Sequence, residues 1–207
     1  MKVVLIGATG RSGSRILREL QSRGHDVTAV ARHIDGLPAG VQTVQDDLRT
    51  VDQIARVVQW ADAVISAYMP PQDDTDQLAE VTQRLIAAVR KAGNPRLLVV
   101  GGAASLEVAP GVTLLASGHL PKEWLAIATS HTKALEILRE SDIDWTYFSP
   151  AALFEPGERT GKFRLGTNDL LVDDKGQSRI SMEDYAIAMV DELEKPTHVR
   201  ARFTIGY

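Results

Sequence analysis

Val3-Val4-Leu5-Ile6 runs straight into Gly7-Ala8-Thr9-Gly10-Arg11-Ser12-Gly13, and an amphipathic stretch continues from there to Gly24. Four consecutive aliphatic residues read as a strand buried on both faces, the habit of parallel sheets. Ile16, Leu17 and Leu20 then recur at helical spacing. The order is strand, glycine turn, helix. Glycine has a physical use in such a corner: the chain reverses tightly, bare N–H groups face a pyrophosphate, and the helix packs close on the strand. An anion held there sits on the positive end of the helix dipole. The spacing is Gly-x-x-Gly-x-x-Gly, not the Gly-x-Gly-x-x-Gly of the commonest dinucleotide fingerprint, and a purely structural turn is the competing reading. The flanking strand and helix favour a nucleotide cofactor. Its candidate contacts here are Gly7, Thr9, Gly10, Arg11, Ser12 and Gly13.

Strands and helices alternate onward. Asp26 to Ala31 reads as a second strand, Val41 to Gln45 as a third, Ala63 to Ala67 as a fourth, Arg96 to Val100 as a fifth and Asp144 to Phe148 as a sixth. Helices between them are built on Ile54, Val57 and Val58, and on Leu78, Val81, Leu85 and Val89. This predicts an α/β fold, a Rossmann-type doubly wound parallel sheet, in a single domain over 1–207 with a small C-terminal substrate-side lobe. Lys122 to Glu140 reads as one long helix with Trp124, Ala128, His131, Leu135 and Leu138 on its apolar stripe, and Thr129 and Lys133 on another face. Residues 106–121 predict a loop at the mouth of the site, and 155–180 predict small hairpins closing over a substrate. Ser181 and Asp184 resemble a capping box that opens a last helix to Glu194.

Bulk properties narrow the function classes. At 207 residues and 44% hydrophobic, the chain can bury a sizeable core. A formal charge of −4 without a dense Lys/Arg run argues against nucleic acid or anionic lipid as a partner. With no cysteine there is neither a disulfide nor a thiolate nucleophile. The apolar run after Met1-Lys2 is too short for a signal peptide, and no stretch approaches the roughly 18 apolar residues of a membrane span, so a cytoplasmic protein is expected. Asp73, Asp74 and Asp76 stand close together, but acids at a helix start complement its dipole, and no metal site is expected.

In an open parallel sheet the carboxyl ends of the strands line the ligand crevice. Arg32 occupies the end of the second strand, where a carboxylate would select a free ribose 2′-hydroxyl. With Arg11 it can fork a 2′-phosphate, favouring NADP over NAD; two solvated surface arginines are the alternative. Asp47 can accept from the adenine amino group while Leu48 packs on the ring, or Asp47 can cap the helix that begins near Val51. Ser66, Ala67 and Tyr68 should lie along the cofactor. Gly101 and Gly102 make room for the nicotinamide, and Ser149, Pro150 and Ala151 offer backbone groups to its carboxamide.

Gly7 to Gly13, Asp46-Asp47-Leu48, Gly101-Gly102-Ala103, Lys133-x-x-Glu136 and Ser149-Pro150 together resemble the short-chain dehydrogenase/reductase superfamily. More narrowly, the chain is similar to its atypical NAD(P)H-binding branch, which includes flavin reductase (biliverdin reductase B) and NmrA-like proteins. The resemblance implies a Rossmann fold and a nicotinamide cofactor. It also exposes a departure. The superfamily pairs a Tyr with a Lys four residues on, and the Lys makes the phenol a better acid. Aligning Lys133 with that lysine puts Thr129 in the tyrosine's place, and none of the four tyrosines has a lysine four positions later. A threonine hydroxyl is too weak an acid for ordinary ketone chemistry, whereas a flavin or quinone spreads the incoming charge over its own rings. The expectation is an NADPH-dependent reductase of a flavin, quinone or similar small conjugated acceptor. Ser105 is the first choice of hydroxyl and His131 a second proton donor, though a turn cap and a core histidine are their plainer readings. A non-catalytic NADP(H) sensor of the NmrA-like kind is the rival.

Overall fold

Val3 and Leu5 point to one side of the first strand, Val4 and Ile6 to the other, and all four are buried. A sheet built from such strands needs a helical layer on each face. The computed structural model describes residues 1–207 and has that form. In chain order its elements are β1 (Lys2–Ile6), α1 (Gly13–Ser22), β2 (Asp26–Ala31), β3 (Gln42–Gln45), α2 (Val51–Val58), β4 (Ala63–Ser66), α3 (Gln77–Lys91), β5 (Arg96–Val100), β6 (Glu107–Ala109), β7 (Val112–Thr113), α4 (Leu125–Arg139), β8 (Trp145–Ser149), β9 (Leu153–Glu155), β10 (Arg164–Gly166), β11 (Arg179–Ser181), α5 (Met182–Glu194) and β12 (Ala201–Gly206).

The main sheet has eight strands in the order β10-β12-β8-β5-β4-β1-β2-β3, all parallel to their neighbours except β10. One core lies under α1 and α5, where Ile16, Leu17 and Leu20 meet Met189 and Leu193; the other lies under α2, α3 and α4. Because β1 sits between β2 and β4, the chain turns away from it in both directions, which makes its carboxyl end the topological switch point. Two glycines fix the corner. Gly7 has φ +76°, and a Cβ there would fall 2.5 Å from Ala67 O; a Cβ on Gly13 would fall 2.0 Å from Gly7 O. Both approaches are closed to any other residue.

Three expectations about elements need correction. The helix expected over 122–140 opens with a 3₁₀ turn at Lys122–Trp124, and α4 follows it. The tighter turn breaks the register, so Trp124 is 48% exposed rather than on the buried stripe, which consists of Ser130, His131, Ala134, Leu135 and Leu138. Residues 155–180 do not form hairpins. β9 pairs in parallel with β11 across 23 residues of intervening chain, and β10 adds an antiparallel edge to β12. β12 itself was not anticipated; it inserts between β8 and β10, with Phe203 stacked 3.9 Å from Phe148 in the core.

The expected box at α5 forms by half. Ser181 Oγ accepts from the Asp184 N–H at 3.0 Å. The Asp184 carboxylate instead takes the N–H groups of Thr160 and Gly161 (2.8 Å each) and the hydroxyls of Thr160 (2.6 Å) and Tyr207 (2.8 Å). It pins the 155–162 stretch to the helix.

Candidate cofactor and substrate site

The carboxyl ends of β1 to β4 enclose a crevice of about 330 Å³, with Gly7, Thr9 and Gly10 at its floor. Gly7 donates its N–H to Val30 O (2.8 Å) and Gly10 to Gly7 O (2.9 Å), whereas the N–H groups of Thr9, Arg11 and Ser12 have no acceptor in the chain. Ser12, at the N-cap of α1, does not cap it with its side chain, and the first turn carries no acidic residue. The helix end is electrically open. Three bare donors, the positive end of a dipole and glycine backbone without Cβ atoms fit a diphosphate.

Arg32 lines the same crevice beside His33. Its carbonyl accepts from Gln45 Nε2 at 2.9 Å, and its exposed guanidinium makes no hydrogen bond or salt bridge within the chain and is free for a ligand. Arg11 is exposed but is not among the residues that line the crevice. On the opposite wall stand Ala67 and Tyr68, with Ser66 buried behind them. Tyr68 donates to Gln77 Oε1 at 3.2 Å.

Of the two adjacent acids, Asp46 is the enclosed one. It is 5% exposed; its Oδ1 accepts from Leu48 N–H at 2.6 Å, and its Oδ2 is buried without a partner. That bond holds Leu48 at φ +61° and presses its side chain into the crevice wall. Asp47 also lines the crevice but turns outward to Arg49 at 2.8 Å. Neither caps α2, whose N-cap is Thr50. Asp46 therefore shapes the turn from behind, its second carboxylate oxygen enclosed in the protein, and the accessible carboxylate at this end of the crevice is that of Asp47.

Beside β4, at the carboxyl end of β5, the two glycines have a cause besides the one expected. A Cβ on Gly101 would fall 2.3 Å from the Tyr147 ring, and one on Gly102 would fall 2.9 Å from His131. They are small because buried side chains fill that space. Gly102 N–H donates to Tyr147 Oη at 3.0 Å, and that hydroxyl donates to His131 O at 3.0 Å. Burial pulls the His131 imidazole down to about 4. At neutral pH it is uncharged, so it is no ready acid. Ser149, Pro150 and Ala151 are buried at the end of β8.

Thr129 and Lys133 are exposed on the outer side of α4, and the Thr129 hydroxyl donates to Leu125 O at 2.8 Å. Its proton is spent inside its own helix. Ser105, half-buried in the loop after β5, has an oxygen that accepts from Arg202 at 3.2 Å. All four phenols are pushed above the ordinary tyrosine range: Tyr147 and Tyr185 by deep burial, Tyr68 and Tyr207 by partial burial. No tyrosine here has been made a better acid.

The sequence model of the NAD(P)H-binding family matches residues 7–196, from the first glycine of the turn to beyond α5. The chain belongs to that family. It is 40% identical to the YwnB protein of Bacillus subtilis over 210 residues, 99% of this chain and 98% of that one. Among solved structures, a protein of Burkholderia pseudomallei provisionally named as exported is 46% identical, with a TM-score of 0.92 and full coverage of both chains. A Streptococcus pneumoniae protein provisionally named an NADH-flavin reductase is 34% identical, with a TM-score of 0.90 over 100% of this chain and 99% of that one. No helix of this NAD(P)H-binding chain is long and apolar enough to cross a membrane.

Proposed function

We propose that this protein is an NADPH-dependent reductase that delivers hydride to a flavin, a quinone or a similar conjugated acceptor. The observation that carries the reading is the pairing of an open glycine corner with a site that holds no acidified phenol. When bound, the reduced nicotinamide supplies the hydride. The chain supplies the rest. Thr9, Arg11 and Ser12 N–H groups hold the diphosphate, Arg32 takes the 2′-phosphate, and Asp47 accepts from the adenine amino group. Gly101, Gly102 and the Ser149–Ala151 backbone bound the nicotinamide end.

A ketone receiving hydride concentrates charge on one oxygen and needs a strong donor beside it. A flavin or quinone delocalises that charge and tolerates a serine hydroxyl or water in its place. The similarity to a protein provisionally named an NADH-flavin reductase supports the same acceptor class. Oxidation of NADPH by the purified protein, followed at its nicotinamide absorbance with FMN, a 1,4-naphthoquinone and a simple ketone, tests the proposal. Turnover is expected with the first two and not the third. Tight NADPH binding without turnover on any acceptor identifies the sensor of the NmrA-like kind instead.

A further inference from the structure

Arg202 sits opposite Tyr147 in the register of β12 against β8. Its neighbours Phe203 and Ile205 point into the α1/α5 core, so Arg202 points to the other face, beneath the loop that follows β5. There it is 8% exposed. A guanidinium this enclosed ordinarily faces a carboxylate. This one does not. Its Nη1 donates to Ser105 O and Ser105 Oγ at 3.2 Å each, and its Nη2 and Nε donate to Asn168 Oδ1 at 2.8 and 3.3 Å. Every acceptor is neutral. An apolar side chain would hold the strand without the desolvation cost of a buried cation, so the charge itself needs a reason.

The chemistry of the pair supplies one. A guanidinium has five donors and no acceptor. Ser105 Oγ accepts from it and cannot donate back, which leaves the serine proton for a group on its other side. The adjacent cation also strengthens that hydroxyl as a donor, because it stabilises negative charge building on Oγ. Asn168 fixes the opposite edge of the fork. Around them, Glu107 N–H donates to Asn168 O and Leu170 N–H to Glu107 O, both at 2.8 Å, fastening the segment after β5 to the segment before β11.

We propose that Arg202 is a positioning residue for acceptor reduction: it turns the Ser105 proton toward the bound acceptor and lends the site a fixed positive charge. This rests on the reductase reading above. The acceptor gains two electrons and one hydrogen from the reduced nicotinamide, and the anion so formed takes a hydrogen bond from Ser105 before water supplies the second proton. Acceptors whose reduced form is an anion, flavins and quinones, are the class such a device favours.

The test is steady-state NADPH oxidation with FMN and with a 1,4-naphthoquinone by wild type, R202M, R202K, S105A and the S105A/R202M double variant, with NADPH affinity measured calorimetrically on each. R202M should lose at least about ten-fold in kcat, the worth of a charge-assisted hydrogen bond, with NADPH affinity unchanged. R202K, which keeps the charge and loses the fork, should recover part of that loss. The double variant should be no slower than the slower single variant, since both remove one device. Wild-type kcat in R202M, or losses that multiply in the double variant, would overturn the proposal alone. If R202M does not fold, R202K carries the comparison: reduced kcat at unchanged NADPH affinity supports the proposal, and unchanged kcat overturns it. A wild-type protein that binds NADPH but reduces neither acceptor overturns the reductase reading and this proposal together.

Discussion

Arg32 is the residue on which the proposed preference for NADPH turns. It stands just past β2 in the crevice wall, exposed and without a carboxylate partner. A guanidinium fork on a phosphate contributes about 1.5–3 kcal/mol, and NADH has no 2′-phosphate to receive it. Arg32→Ala should therefore weaken NADPH binding at least about ten-fold and leave NADH binding nearly unchanged, as measured by calorimetry; equal losses for the two would remove Arg32 from the phosphate site. Asp46 makes a separate case. Its Oδ1 holds the Leu48 N–H and its Oδ2 is enclosed, so Asp46→Asn should loosen the crevice wall, lowering the Tm and weakening both coenzymes alike. Asp47→Asn, which removes the accessible carboxylate proposed for the adenine amino group, should weaken both coenzymes and leave the Tm unchanged. A competition assay with a thermal melt on each variant distinguishes the two acids.

At the scale of elements, the β1–α1 corner makes different demands on its glycines. A Cβ at Gly13 meets a main-chain oxygen at 2.0 Å, whereas one at Gly10 meets its nearest neighbour at 3.2 Å and can be accommodated by a small shift. Gly13→Ala should therefore destabilise the fold, by about 1–3 kcal/mol or more, visible as a lowered Tm. Gly10→Ala should melt close to wild type yet bind NADPH at least about ten-fold more weakly, because it adds a methyl to the crevice wall proposed for the diphosphate. This corner was legible in the sequence because everything that makes it is local: an apolar run, three glycines and a helical stripe within 24 residues. What sequence reading missed is non-local. β9 finds β11 only after the chain has travelled through β10, and the reason Gly101 is glycine lies in Tyr147, 46 residues further on. Trp124 was misplaced because three residues of 3₁₀ turn shift the helical register, a change that no apolar spacing announces. β12 escaped notice because Arg202 interrupts its apolar pattern, and an arginine at an inward register position is itself the signal that could have marked it.

Taken whole, the molecule holds a buried neutral imidazole on one face and a buried carboxylate on the other, and both set its response to acid. His131 has its pKa pulled by burial from the ordinary 6.5 to about 4. The unfolded chain therefore takes up a proton near pH 6.5 that the native state refuses until about pH 4. The stability tied to His131 is complete above pH 6.5 and falls away as the pH drops toward 4, by on the order of 3 kcal/mol. Glu192 is buried, but hydrogen bonds from Thr197, His198 and Arg96 outweigh that desolvation and hold it near 2 against an ordinary 4.5. Its contribution is complete above pH 4.5 and is lost as the pH falls toward 2. Urea melts between pH 7.5 and 4.5 should show declining stability, and His131→Gln should flatten that decline. The account's central claim, that the open β1–α1 corner binds a nicotinamide dinucleotide and that Arg32 selects the phosphorylated form, is tested most directly by titrating the folded wild-type protein with NADPH and with NADH in a calorimeter. One NADPH per chain, bound at least about ten-fold more tightly than NADH, is the predicted result; no heat from either dinucleotide, with circular dichroism showing the protein folded, would contradict it.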